Sequence, residues 1–479
     1  MRAPVADLPA LLNVPPVRRA FAISVRPPGS KSLTNRALLL AAMADGTSTI
    51  RGGLRDADDA VQMMRALEKL GACVTLNGTD AMYVEGVGGR WRVPSEGVTL
   101  DINNAGTAAR FLAAAAVLAP NPVTIDGSSR MRERPIGELV EILRRVGADV
   151  QYLGKQGCLP IRVVPRDGGL DASGVIELPS TKSSQFVSAL LLIGPWLPSS
   201  LTLRLQGRVT SASYVAMTLG LLSRLKANVQ HAGDMRVLRV GPAMTYQAEA
   251  YDAKKGSASG RREGVGIPAF EYDVEPDASG ATYFWAAAAL VPGATAKVEG
   301  IGPDSLQGDA HFPGVLERMG AVVDRSGAPD PSILVRGSET IAPVMADMSD
   351  MPDAVMTLAV VASFAAGASV IRGVRTLRVK ESDRVAALQA ELGKIGVKVE
   401  CPVAGDEDVM SVTPPVGGVA CGEDAAPVEF ETYNDHRMAM ALALVGLRRA
   451  NVSVMNPSCV DKTYPEFWSE FRNVYGREQ

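Results

Sequence analysis

Leu67-Glu68-Lys69-Leu70-Gly71-Ala72-Cys73-Val74 ends an amphipathic helical pattern on a glycine and opens a valine-bearing strand, and the same pattern recurs along the chain. It returns as Leu143-Arg144-Arg145-Val146-Gly147-Ala148-Asp149-Val150, Leu222-Ser223-Arg224-Leu225-Lys226-Ala227-Asn228-Val229, Leu316-Glu317-Arg318-Met319-Gly320-Ala321-Val322-Val323 and Leu392-Gly393-Lys394-Ile395-Gly396-Val397-Lys398-Val399. A helix often stops on a residue in the left-handed conformation, which glycine adopts without a Cβ clash. The third copy carries Lys226 there instead. Measured from that position the intervals are 76, 79, 94 and 76 residues. Such units exceed common solenoid periods and read as α/β modules grouped into larger domains. A weaker sixth echo, Leu447-Arg448-Arg449-Ala450-Asn451-Val452, completes three units on each side of the long interval. That interval holds Asp252-Ala253-Lys254-Lys255-Gly256-Ser257-Ala258-Ser259-Gly260-Arg261-Arg262-Glu263-Gly264, which reads as a mobile surface insertion near residues 250–265. Two similar halves predict a ligand cleft between them.

The bulk composition narrows the class of partner. Lys plus Arg is 49 against 52 Asp plus Glu, so a net charge of −3 argues against nucleic acid, which favours a basic footprint. The apolar fraction of 47% with only 5% aromatics fits a close-packed α/β protein rich in Ala, Leu and Val. Five scattered cysteines without a Cys-x-x-Cys pair predict neither a disulfide framework nor a metal site, and fit a reducing cytoplasm. The longest apolar run, 357–366, is far below the ~18–20 residues of a membrane span. The first residues, with Asp7, Pro9, Pro15 and Pro16, read as a short disordered leader rather than a secretory signal.

Five polar stretches run directly into apolar helical patterns: Gly29–Arg36, Asn103–Arg110, Ser180–Gln185, Arg378–Arg384 and Tyr433–Arg437. A helix N-terminus presents unpaired N–H groups and partial positive charge, a ready seat for phosphate or carboxylate. The first stretch is not a Walker A loop, because Ser30 precedes Lys31 and Val25 stands at that motif's first glycine. Taken singly, each has an ordinary alternative. Lys31 and Arg36 would be two exposed cations on a helix cap. Lys380, Glu381, Asp383 and Arg384 would be ion pairs on an exposed helix, Asp353 an N-cap, and His436 a hydrogen-bonded structural residue.

Taken in order, the strings resemble the 5-enolpyruvylshikimate-3-phosphate synthases, members of the enolpyruvyl transferase family. The resemblance rests on Pro28-Gly29-Ser30-Lys31-Ser32 with Asn35-Arg36, on Asn104-Ala105-Gly106-Thr107, and on Arg130-Met131-Arg132-Glu133-Arg134-Pro135-Ile136. It continues through Ser183-Ser184-Gln185-Phe186, Pro352-Asp353-Ala354, Arg378-Val379-Lys380-Glu381-Ser382-Asp383-Arg384, Asn434-Asp435-His436-Arg437-Met438-Ala439-Met440 and Lys462-Thr463-Tyr464-Pro465. It implies an α/β (α+β) fold of two similar domains, each a pseudo-three-fold repeat of βαβαββ units, with the active site in the interdomain cleft. The expected domains are 1–29 plus 275–479, and 30–274. The implied reaction moves the enolpyruvyl group of phosphoenolpyruvate to the 5-hydroxyl of shikimate 3-phosphate, releasing phosphate through a tetrahedral non-covalent intermediate. The implied protein is a cytoplasmic monomer of the shikimate pathway to chorismate and aromatic amino acids. It takes small-molecule substrates, with no cofactor, metal, nucleic acid or membrane partner, and is a glyphosate target.

Phosphoenolpyruvate and its acceptor each carry a phosphate and a carboxylate, so holding both requires fixed cations and N–H dipoles. By resemblance, Lys31, Gly106, Arg130, Gln185, Arg384, Arg437 and Lys462 surround phosphoenolpyruvate. Lys31, Ser32, Arg36, Ser183, Ser184, Gln185, Ser211, Asp353, Thr376 and Lys380 hold shikimate 3-phosphate, Thr376 standing where the family often has Asn. Asp353 is the expected base, Glu381 the proton shuttle, and Lys31 an assistant at the bridging oxygen. An unsubstituted Gly106 leaves room for glyphosate in the phosphoenolpyruvate site. Phe111 replaces the family's usual Pro or Leu, and Lys182 adds an unassigned cation. The rival is the enolpyruvyl transferase of UDP-N-acetylglucosamine, which usually carries a reactive loop cysteine; here Ser128-Ser129 precede Arg130. A non-catalytic anion-binding relative is the second rival, against which both Asp353 and Glu381 argue.

Overall fold

The computed structural model describes residues 8–78, 80–165, 171–178, 183–207, 211–242, 246–252, 257–264 and 266–476. The chain divides into two compact units, one of Met1–Pro28 with Glu275–Gln479 and one of Gly29–Val274.

Each unit repeats one pattern three times. In the second unit, Val98–Asp101 runs parallel to Val123–Asp126, which pairs antiparallel with Ile161–Val164, which pairs antiparallel with Asp149–Tyr152. Helices Gly106–Ala115 and Gly137–Arg145 fill the two connections. This is a βαβαββ unit, and its parallel step needs a crossover helix. Val175–Leu178, Leu201–Leu205, Val237–Val240 and Val229–His231 repeat it. The third copy takes its first strand from far along the chain: Glu271–Asp273 pairs with Thr47–Arg51, beside Ala81–Glu85 and Cys73–Leu76.

The other unit mirrors this plan. Its first sheet borrows Ala22–Val25 as the strand parallel to Thr295–Glu299. Its second is built from Met345–Asp347, Ser369–Arg372, Val409–Thr413 and Lys398–Glu400. The third has three strands, Val428–Phe430, Val452–Met455 and Leu11–Val14.

Burial follows helix composition. Ala278–Leu290 and Val355–Ala362 are buried at every position, as is His436–Gly446. These three pack on one another at the centre of their unit. Lys31–Met43, Gly106–Ala115 and Ser184–Ile193 form the equivalent trio. Helices apolar on all sides belong in a core, whereas amphipathic ones such as Asp58–Lys69 and Gly137–Arg145 cover the outside. The repeat's stop position is left-handed in all five copies, with φ of 99° at Gly71, 95° at Gly147, 60° at Lys226, 107° at Gly320 and 79° at Gly396. Asn451, in the sixth echo, has φ 58°.

The stretch expected as a mobile insertion contains regular structure. Tyr246–Asp252 and Ser257–Gly264 pair antiparallel, with a register shift between Ala250 and Tyr251. Backbone pairing across a hairpin satisfies amides that a polar composition alone would leave to water. Residues 253–256 and 265 of that stretch lie outside the described residues, as do the expected leader's first seven residues.

Candidate functional site

Two clusters of charge form, one in each unit. In the unit containing Glu275–Gln479 the hub is Arg384, first residue of the helix Arg384–Gly393 and 1% exposed. Its Nε donates to Asp435 Oδ2 at 2.8 Å, and Nη2 donates to Asp435 Oδ1 at 3.2 Å and to Glu381 Oε2 at 3.1 Å. Nη1 donates to Asp353 Oδ1 at 2.9 Å. Burial opposes the guanidinium charge, but Asp435, Glu381 and Asp353 outweigh it and hold its pKa above the ordinary arginine value. One planar fork thereby spaces three carboxylates that would otherwise repel.

The other cations close the net. Lys380 Nζ lies 3.4 Å from Asp353 Oδ1, Arg437 Nη2 3.1 Å from Asp353 Oδ2, and Lys462 Nζ 3.2 Å from Glu381 Oε1. Asp435 is the N-cap of His436–Gly446, accepting from the Arg437 amide, and also accepts from Ser382 Oγ. Lys462 ends the turn Pro457–Lys462, followed by Tyr464 and Phe467, whose rings pack on Tyr283 and Phe284.

These positions correct two of the ordinary alternatives. Lys380 and Glu381 precede the helix rather than riding it, and the Glu381 side chain is largely covered, paired with Arg384 and Lys462. Asp353 lies inside the turn Pro352–Ala354, and the N-cap of the next helix is Ala354. His436 is fully buried beside Asp435. Thr376 sits in the turn Arg375–Val379 with its Oγ1 buried and without a hydrogen-bond partner.

Asp309 was not foreseen from sequence. It is 4% exposed and accepts from Ser279 Oγ. Burial first, then the Asp353 charge, push its carboxyl up to about 7. A carboxyl with a raised folded-state pKa contributes stability that is complete below its unfolded value and lost as pH rises through about 7. Asp309→Asn keeps the acceptor for Ser279 but cannot ionise. Its melting temperature should therefore rise relative to the parent between roughly pH 5 and 8. Parallel melting curves of the two proteins at both pH values would refute this.

In the Gly29–Val274 unit, Lys31 opens the helix Lys31–Met43 and pairs with Asp59 at 3.2 Å, both largely buried. Arg36 is not an exposed cation either. It is 2% exposed, donating from Nε to Thr218 Oγ1 at 2.8 Å, from Nη1 to the Ser32 carbonyl at 2.8 Å, and from Nη2 to Ser188 Oγ and the Tyr214 carbonyl. Its guanidinium also lies 5.1 Å from the Phe111 ring centre. That contact gives the unusual Phe111 a place in the core. Burial lowers the Arg36 pKa to about 10.

Gly106 opens its helix after Ala105, which has no capping side chain. A Cβ on Gly106 would meet the Arg134 guanidinium at 2.6–2.8 Å. Arg134 and Asp59 were missed as individual site residues. Arg134 was legible only as part of its motif, and Asp59 looked like any acid in a first turn. Gln185 Nε2 donates to Thr107 Oγ1 at 3.3 Å, so the first turns of two inner helices meet. Ser183 caps the Gln185 amide, and Ser184 is buried. Ser211 is a buried left-handed N-cap at φ 51°. Arg130 is partly exposed and pairs with Glu133 at 2.9 Å. Lys182 lies outside the described residues. The described residues contain neither a metal-binding cluster nor a helix long and apolar enough to cross a membrane.

A family model described as EPSP synthase (3-phosphoshikimate 1-carboxyvinyltransferase) matches residues 18–471. A 3-phosphoshikimate 1-carboxyvinyltransferase of Erwinia tasmaniensis is 39% identical over 452 residues, covering 94% of this chain and 96% of that protein. One from Escherichia coli K12 is 38% identical, covering 97% and 98%. Among solved structures, an EPSP synthase of Acinetobacter baumannii superposes with TM-score 0.75 at 23% identity, covering 97% of this chain and 98% of that one. The enolpyruvyl transferase NikO of Streptomyces tendae superposes with TM-score 0.68 at 17% identity, covering 97% and 96%.

Proposed function

Because this chain belongs to the EPSP synthase (3-phosphoshikimate 1-carboxyvinyltransferase) family, we propose that the carboxylates and cations described above are the working parts of its reaction. The enzyme transfers the enolpyruvyl group of phosphoenolpyruvate to the 5-hydroxyl of shikimate 3-phosphate and releases phosphate, a step of aromatic amino acid biosynthesis. The observation that supports the residue assignment best is the Arg384 fork, which holds Asp353 and Glu381 apart on separate nitrogens.

Asp353 accepts the 5-hydroxyl proton as that oxygen bonds C2 of phosphoenolpyruvate, while Glu381 delivers a proton to the methylene carbon. Anions arriving at Lys462 and Arg384 draw these cations from Glu381, which favours its protonated form. In the second half, Glu381 takes a proton back from the methyl carbon, the double bond re-forms, and the C2–O bond to phosphate breaks. Lys31 assists at that bridging oxygen. The intermediate is not bonded to the protein.

Phosphoenolpyruvate is held by Lys31, Gly106, Arg130, Gln185, Arg384, Arg437 and Lys462. Shikimate 3-phosphate is held by Lys31, Ser32, Arg36, Ser183, Ser184, Gln185, Ser211, Asp353, Thr376 and Lys380. Uncapped helix starts at Ser30 and Ala105 support anion binding there, and the unpartnered Thr376 hydroxyl suits a polar ligand. The protein acts as a cytoplasmic monomer without nucleic acid, membrane or metal. Purified protein should release phosphate from phosphoenolpyruvate with shikimate 3-phosphate and not with UDP-N-acetylglucosamine. Turnover with the nucleotide sugar alone would overturn the reading.

Position 106 gives a second test. A methyl there strikes the Arg134 guanidinium, so Gly106→Ala should raise KM for phosphoenolpyruvate and weaken glyphosate inhibition, each by about tenfold. Unchanged inhibition would remove the steric argument.

A further inference from the structure

The loop that ends at Asp435 and leads into the helix carrying Arg437 is held at a second point, away from the carboxylates just described. Glu391 is 1% exposed and lies seven residues after Arg384 on the same helix, two turns along the same face. Its Oε1 accepts from the Tyr433 hydroxyl at 2.8 Å. Its Oε2 accepts from the Glu431 amide at 2.9 Å and from Lys394 Nζ at 2.6 Å. Lys394 Nζ also donates to the Glu429 carbonyl at 2.9 Å. One helix therefore grips residues 431–435 at both ends, through Arg384 on Asp435 and through Glu391 on the Glu431 amide and the Tyr433 hydroxyl.

The grip matters because of the backbone between its two points. Tyr433 and Asn434 are consecutive non-glycine residues in the left-handed region, at φ 55° and 52°. L-residues with a Cβ resist that conformation, and it persists only where surrounding contacts over-determine it. Asn434 Oδ1 accepts from Asn456 Nδ2 at 3.1 Å, a further tie on the same turn. Immediately after the turn come Asp435, whose Oδ1 accepts the Arg437 amide at 3.0 Å, and Arg437, whose guanidinium reaches Asp353. A turn left to relax would swing both side chains.

We infer that Glu391 is a positioning residue that sets Arg437 through the Tyr433-Asn434 turn; the inference rests on the proposed role of Arg437 in holding phosphoenolpyruvate. Glu391 is not among the groups proposed to touch the substrates and acts only through the loop. The ring of Tyr433 is partly exposed while its hydroxyl is engaged, so Tyr433→Phe removes one bond of the grip without opening a core cavity.

The test is a steady-state comparison of Glu391→Ala, Glu391→Gln, Tyr433→Phe and Arg437→Lys with the parent, varying each substrate separately. Displacement of a binding group on the ångström scale costs up to ~10²-fold. Glu391→Ala should accordingly raise KM for phosphoenolpyruvate about tenfold or more, with KM for shikimate 3-phosphate changed less than about twofold. Glu391→Gln keeps one acceptor oxygen and should recover part of that loss, and Tyr433→Phe should raise the same KM about threefold. Equal rises in both KM values, or no rise in Tyr433→Phe while Arg437→Lys raises it, would overturn the inference. Tyr433→Phe decides the matter even should Glu391→Ala fail to fold. An unchanged KM for phosphoenolpyruvate in Arg437→Lys would instead refute the role of Arg437 itself.

Discussion

Glu381→Gln and Asp353→Asn are each expected to lower kcat by roughly 10²-fold or more, the range ascribed to general acid–base groups. Both replacements keep the side chain's shape and one acceptor oxygen, so the Arg384 fork retains a partner at each site. What they remove is the exchangeable proton. Glutamine at 381 can neither give a proton to the methylene carbon nor take one back, so both halves of the reaction suffer. Asparagine at 353 cannot accept the hydroxyl proton. The loss should appear in kcat and kcat/KM together, because the interaction belongs to the transition state rather than to substrate binding. The double variant should lose less than the product of the single effects if the two groups serve one proton sequence. Phosphate release by correctly folded variants is the measurement. A near-normal rate in either single variant would exclude that residue from the chemistry.

Arg384→Met is expected to destabilise the protein by about 3–5 kcal/mol, the usual cost of removing one partner from a buried ionic cluster. The guanidinium is 1% exposed and serves three carboxylates, of which Asp435 is 0% exposed. Methionine fills similar volume but leaves Asp435 with no guanidinium and brings Asp353 and Glu381 together without the cation between them. Lys380, Arg437 and Lys462 still face the latter two, so Asp435 accounts for most of the loss. Arg384→Lys restores the charge without the planar fork and should recover part of the stability and little of the activity. Denaturant unfolding at neutral pH checks the first effect. A Met variant as stable as the parent would refute this cost and mean that Ser382 and the Arg437 amide suffice for Asp435.

How far sequence alone reached differs between the fold and the site. The repeat was legible because its signal is local: helix periodicity, a left-handed stop and a β-branched strand follow within eight residues. Even the exception, Lys226, adopts the left-handed stop at φ 60°, so position in the repeat outweighed residue preference. In the stretch near 250–265 a Gly/Ser-rich, charged composition gave no strand signal, yet Tyr246–Asp252 and Ser257–Gly264 pair as strands. Within the site, residue types in ordered strings marked Asp353, Glu381, Arg384, Arg437 and Lys462, but not what each one touches. Arg36 looked like a solvated cation and is buried against Phe111, Thr218 and Ser188. Asp309 and Asp59 carried no local mark at all.

Consecutive residues thus determined the recurring helix-to-strand pattern, its left-handed stops and the polar entries to the inner helices, since these follow from short-range backbone sterics and hydrophobic period, whereas two modules complete their sheets with strands from far along the chain. Tertiary structure alone decided that a single guanidinium at 384 is shared by carboxylates at 353, 381 and 435, and that Glu391 grips the turn at 433. Hydrogen bonds act over about 3 Å. Which groups come that close is a property of how helices pack, and no stretch of sequence contains it.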